Sequence, residues 1–128
     1  MNRVLWWIKR DIRLADNAAL SWACAEGDEV VPVYVYEDAG ILAPDWSRLH
    51  SAAVESALSS LEQALASSEV PLVRVRGYAP DAFAALQRIL PFSAIYAHEE
   101  TGLRHTYARD EAVRRWTREQ SIGFREFP

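Results

Sequence analysis

Apolar positions along the chain follow two alternating periods. Short runs at residues 4–8, 30–36, 72–75, 94–97 and 123–127 are mostly rich in β-branched or aromatic side chains and have the length of buried strands. Between them lie stretches with helical spacing, at 17–25, 47–67, 80–90 and 106–120. The second of these is the clearest: Leu49, Ala53, Ala57, Leu61 and Leu65 step by four and, with Leu58, form a stripe expected to face the core. Strands that alternate with helices predict βαβ units, a parallel sheet and helices on both of its faces, in one domain spanning 1–128.

Local signals fix the ends of these elements. Asp16 or Asn17 stands where an N-cap is needed before Ala18-Ala19-Leu20. Ala79-Pro80-Asp81 opens the third helix with a proline where its missing N–H costs least, and Pro91 stops it. The fourth helix carries Asp110 and Glu111 early and Arg114, Arg115 and Arg118 late, the order its dipole favours, so these arginines need no nucleic acid to explain them. The stretch 37–46 is the longest without regular pattern.

Composition narrows the function classes. A net charge of -4, with arginines scattered from Arg3 to Arg125, argues against a domain that grips a phosphate backbone by itself. Cys24 is the one cysteine, so no internal disulfide forms, and its place in the apolar pattern of the first helix predicts a buried, inert thiol. The five tryptophans are read mainly as core and helix-sheet packing. No apolar run reaches membrane-spanning length and no targeting segment is evident, so a cytoplasmic protein is expected. Gly-x-Gly-x-x-Gly, Walker-type and Gly-x-Ser-x-Gly motifs are missing, and His50, His98 and His105 lack the spacing of a zinc site. No self-contained active site and no metal are expected.

The first strand runs into a charged loop, Trp7-Ile8-Lys9-Arg10-Asp11-Ile12-Arg13, followed by Asp16-Asn17 and a helix. Together with Arg48, the helix bearing Leu58 and Leu61, His98-Glu99-Glu100-Thr101-Gly102 and Thr106-Tyr107-Ala108-Arg109-Asp110, this order resembles the N-terminal α/β domain of the DNA photolyase and cryptochrome family across essentially the whole chain. The resemblance implies a Rossmann-like, doubly wound sheet of order 3-2-1-4-5. It also implies an antenna-chromophore domain whose helical FAD-binding partner domain is absent from this chain. That partner would hold the flavin and make the contacts to damaged DNA, so the isolated domain is expected to have no repair activity.

In such a sheet the ligand crevice opens where strand order reverses, outside the carboxyl ends of strands 1 and 4. Family members that bind flavin-like antennae contact them from the tail of strand 2, an early arginine of the long helix and acids after strand 4. Carried over by position, those residues are Tyr34, Val35, Tyr36, Arg48, Glu99 and Glu100, with Arg10 from the first loop. A structural role remains open for each. Asp11, Arg13, Asp16 and Asn17 are read as tying down the loop and capping the first helix. The antenna is expected to be of FMN, ribityl-lumazine, deazaflavin or folate type, with flavin-like or lumazine preferred. A free-standing nucleotide or small-molecule binder, or a scaffold without a chromophore, stands as the alternative.

Overall fold

Five parallel strands, in the order β3-β2-β1-β4-β5, form the centre of the computed structural model, which describes residues 2–37, 48–100 and 104–128. Along the chain these elements are β1 (Arg3–Ile8), α1 (Ala18–Glu26), β2 (Glu29–Tyr36), α2 (Arg48–Ala66), β3 (Val73–Arg76), α3 (Ala79–Ile89), β4 (Ala94–His98), α4 (Arg104–Glu119) and β5 (Gly123–Phe127). The predicted doubly wound α/β sheet is therefore the fold observed. The stretch at 38–47 and the residues Thr101, Gly102 and Leu103 lie outside the described residues.

β1 is central because it is apolar on both sides. Val4, Trp6 and Ile8 enter one core with Ala19 and Ala23 of α1 and Leu58, Leu61 and Leu65 of α2. Leu5 and Trp7 enter the other with Phe83 of α3 and Val113 of α4. Alternation along a strand divides the side chains between the faces, and a strand covered on both loses the polar face that an exposed sheet would show. In the second core the Trp7 and Phe83 rings meet nearly edge to face, with centroids 5.1 Å apart at 79°.

Two expectations on α1 and one on α2 are corrected. Cys24 is exposed, because the buried face of α1 is the Ala19–Ala23 pair and Cys24 lies about 100° further round the helix. Trp22 is 49% exposed, with the Arg125 guanidinium 5.1 Å from its ring. On α2 the buried stripe is Leu58, Leu61 and Leu65, with Val54 packed against it, while Ala53 is exposed. Steps of four overshoot a 3.6-residue turn, so a row spaced only by fours drifts off the core face, and mixed steps of three and four stay on it.

α1 begins where the sequence placed its cap. The Asn17 side-chain oxygen accepts from the Leu20 backbone N–H at 2.9 Å. The helix ends at Gly27, where a Cβ would lie 2.9 Å from both the Ala23 carbonyl oxygen and a Val4 methyl. Close approach, rather than an unusual φ, requires glycine there: its φ is -94°.

Candidate functional site

The strand register sets the level of the crevice. Ile8 pairs with Tyr34 and Trp7 with Ala97, so the chains leaving β1, β2 and β4 emerge side by side at the carboxyl edge. Between the first and third of these exits, at the point where strand order reverses, lies a cleft of about 210 Å³. Lys9, Arg10, Asp11 and Arg13 line it from the loop after β1, and His98, Glu99 and Glu100 from the end of β4 and beyond, with Pro128 at the rim. Its described walls are ionic rather than aromatic.

Asp11, 5% exposed, organises the first loop. Its Oδ1 accepts from the Lys9 backbone N–H at 3.0 Å, and its Oδ2 accepts from Trp6 Nε1 at 3.1 Å and Asn17 Nδ2 at 2.9 Å. A turn that leaves a buried strand must satisfy its freed donors, and one carboxylate does so for strand, loop and helix cap together. His98 Nδ1 also lies 2.9 Å from Asp11 Oδ2, but is not aligned for a hydrogen bond to it.

Behind the cleft runs a chain of paired charges. Lys9 Nζ donates to Asp110 Oδ2 at 3.1 Å and to the His98 carbonyl at 3.0 Å, and the Lys9 and Asp110 side chains are 3% and 2% exposed. Burial pulls the Lys9 pKa down against the attraction of Asp110. Arg109 donates through Nε to Asp110 Oδ1 at 3.0 Å and through Nη2 to Glu100 Oε1, and its Nε lies 3.6 Å from Glu37 Oε1. Arg10 donates to the other Glu100 oxygen at 3.1 Å. Burial alone would lower the Arg109 pKa, but Glu37, Asp110 and Glu100 outweigh it and raise it. Glu37 is pushed up to about 7, chiefly by burial, with Arg109 opposing. Lys9 and Arg109 both sit against Trp7, 4.3 and 4.9 Å from its ring centroid.

The sequence-derived residues occupy several settings. Arg10, Glu99 and Glu100 line the cleft. Tyr34 and Tyr36 pack against the α1/α2 core and meet edge to face with centroids 5.0 Å apart. The Tyr36 hydroxyl donates to Glu55 at 2.7 Å and accepts from Arg74 at 3.1 Å, tying β2 to α2 and β3. Burial raises the Tyr34 pKa to about 12, keeping the phenol neutral. Val35 points to the opposite face and is buried in the α3/α4 core. Arg48 opens α2, but its side chain is outside the described residues.

Sequence reasoning did not single out Arg109 and Asp110 as parts of the crevice. A signal was present: a charged pair in the early turns of a helix that follows the switch-point strand is carried back over the sheet's carboxyl edge. Among the described residues no cluster of His, Cys, Asp and Glu could hold a metal ion, and no described helix is long and apolar enough to cross a membrane.

A doubly wound sheet with an ionic crevice at its switch point, and without a glycine-rich phosphate loop, defines a class of α/β binding domain that needs no Walker or dinucleotide fingerprint. Comparison with known proteins narrows the class: the DNA photolyase family model matches residues 4–128, and the chain belongs to that family. The deoxyribodipyrimidine photo-lyase of Agrobacterium fabrum is 47% identical over 64 residues, which cover 48% of this chain and 13% of that protein. That of Salmonella typhimurium is 36% identical over 70 residues, covering 54% and 15%.

Among solved structures, a class III photolyase from Agrobacterium tumefaciens matches with a TM-score of 0.86 at 23% identity, over 98% of this chain and 25% of that one. A Synechocystis cryptochrome matches with 0.86 at 17% identity, over 98% and 27%. The Sulfolobus tokodaii photolyase, described with two FAD molecules and a novel light-harvesting cofactor, matches with 0.85 at 24% identity, over 98% and 29%. These likenesses establish the fold. The chain spans less than a third of the length of each of these relatives.

Proposed function

We propose that this domain holds a light-harvesting antenna chromophore for a photolyase- or cryptochrome-like flavoprotein and passes excitation to FAD bound in a separate helical domain. In that arrangement the helical domain, not this one, meets damaged DNA and carries the repair or signalling chemistry. The observation that carries the reading is the switch-point crevice, formed in a chain that matches the photolyase family over residues 4–128.

The chemistry of the donor set fits a flat heteroaromatic group. Ring edges rich in carbonyl and N–H groups need a few fixed donors and acceptors, and Arg10, Glu99 and Glu100 supply both signs at the cleft. Tyr34 and Tyr36 offer the nearest aromatic surface on β2, with the Val35 backbone between them, and Arg48 opens the helix that follows. The cleft, at about 210 Å³, is smaller than the roughly 300–1,000 Å³ of enclosed small-molecule sites, so these residues grip an edge rather than enclose a ligand. When bound, the group would supply absorption in the near-ultraviolet or blue. The protein contributes a fixed orientation, which sets the efficiency of energy transfer. A flavin-like or lumazine antenna is preferred over deazaflavin or folate types.

Absorption and fluorescence spectra after incubation with FMN, ribityl-lumazine, deazaflavin and folate test the reading. The expected result is one retained chromophore, lost more readily by Tyr36→Ala and Glu100→Ala. Equal retention in both variants would discard the site assignment, and retention of none of the four would discard the antenna role.

A further inference from the structure

Three cations and three acids meet at and behind the crevice: Lys9, Arg10 and Arg109 face Glu37, Glu100 and Asp110. Arg109 is the hub. It alone touches all three acids, from a side chain 11% exposed, and it lies over the ring of Trp7 at 4.9 Å. Glu100, one of the acids lining the cleft, is therefore held from behind by Arg109 and from the front by Arg10. Glu37 is the looser partner of the same guanidinium, at 3.6 Å and beyond hydrogen-bond reach.

We propose that Arg109 is the positioning residue of the crevice, coupling Glu37 at the end of β2 to Glu100 at the ligand edge, so that one proton taken up by Glu37 resets how the crevice holds a ligand. The coupling concerns the same site as the antenna reading and rests on it for its ligand, though not for its existence. With Glu37 ionised the six groups balance. With Glu37 protonated, Lys9, Arg10 and Arg109 face only Glu100 and Asp110, and the crevice gains attraction for an electron-rich ring edge.

The groups that act electrostatically on Glu37 are Arg109 and Asp110 from α4, Glu100 after β4 and Lys9 after β1. Tyr34, the neighbouring phenol on β2, stays neutral throughout the range concerned. Since burial places the Glu37 transition at about 7, the device works across neutral pH.

The ligand-free domain supplies the first test. Because Arg109 lies against Trp7, tryptophan fluorescence followed from pH 5.5 to 8.5 should show a one-proton transition near 7 that Glu37→Gln abolishes. Riboflavin, uncharged over this range, supplies the second. Its affinity should rise up to tenfold per pH unit as pH falls through the transition, and should become independent of pH in Glu37→Gln. Arg109→Lys keeps the charge but loses the fork, and should weaken riboflavin binding with the circular dichroism spectrum unchanged.

Absence of the fluorescence transition, or its persistence in Glu37→Gln, overturns the coupling, as does riboflavin binding that is flat with pH in the parent domain. Should riboflavin fail to bind at any pH while the Glu37-dependent transition is present, the preference for a flavin-like antenna falls and the Glu37–Arg109 coupling stands.

Discussion

Asp11→Asn removes one charge and replaces one oxygen by NH₂, yet the structure predicts a large effect because the carboxylate is used as an acceptor at both ends. Oδ1 accepts from the Lys9 backbone N–H, while Oδ2 accepts from Trp6 Nε1 and Asn17 Nδ2. An asparagine can present its oxygen at one position only. In one orientation the amide faces the Lys9 N–H donor to donor; in the other it faces the Trp6 and Asn17 donors. Leaving one buried donor unsatisfied costs roughly 1–3 kcal/mol. Asp11→Asn should therefore lose about 2 kcal/mol and Asp11→Ala, which removes both acceptors, about 4 kcal/mol.

Urea unfolding followed by circular dichroism reads these losses directly. With a slope of about 1.5 kcal/mol/M, within the ordinary range for small proteins, the midpoint should fall by about 1.3 M for Asp11→Asn and about 2.7 M for Asp11→Ala. An Asp11→Asn variant within ~0.5 kcal/mol of the parent domain, the scatter of a surface substitution, would show that the carboxylate is not needed as a double acceptor.

Two further outcomes follow from buried charge. Because the Glu37 pKa rises from 4.5 to about 7 on folding, the folded state holds a proton that the unfolded state has released, and stability should fall as pH rises between those values and level off above about 7. The gap corresponds to at most about 3 kcal/mol, so Glu37→Gln should be more stable than the parent at pH 8 and flatter with pH, as measured by urea midpoints from pH 5 to 8. Lys9→Met should cost about 1–3 kcal/mol in thermal unfolding, because Asp110 Oδ2 loses its buried donor while Arg109 keeps Oδ1, and Lys9→Met with Asp110→Leu should recover little of that loss, because Arg109 then loses an acceptor.

Sequence by itself determined the sheet. Apolar runs too short for helices, separated by amphipathic stretches, admit few arrangements other than strands crossed by helices, and β1, apolar on both sides, had to lie inside. Asn17 as a cap, Pro80 at a helix start and Asp11 as a loop anchor were also legible, because each acts on backbone within a few residues of itself. Arg10, Glu99 and Glu100 could be placed at one crevice because the family resemblance implied the strand order that brings the ends of β1 and β4 together.

Only the tertiary structure decided which charges share a partner. Lys9 and Asp110 are 101 residues apart, and nothing local to either marks the other. Arg109 carries the signature of a surface helix residue, yet it is largely covered because α4 lays its early turns over Trp7. Helical phase misled for the same reason at Cys24 and Trp22: the apolar pattern says that a helix has a core side, while the angle at which it packs on the sheet selects which residues occupy it. Periodicity and capping are short-range and are written in neighbouring residues. The shared burial that shifts Glu37 and joins it to Arg109 exists only once β1, β2, β4 and α4 have converged, because desolvation depends on everything that packs around a group rather than on the group itself.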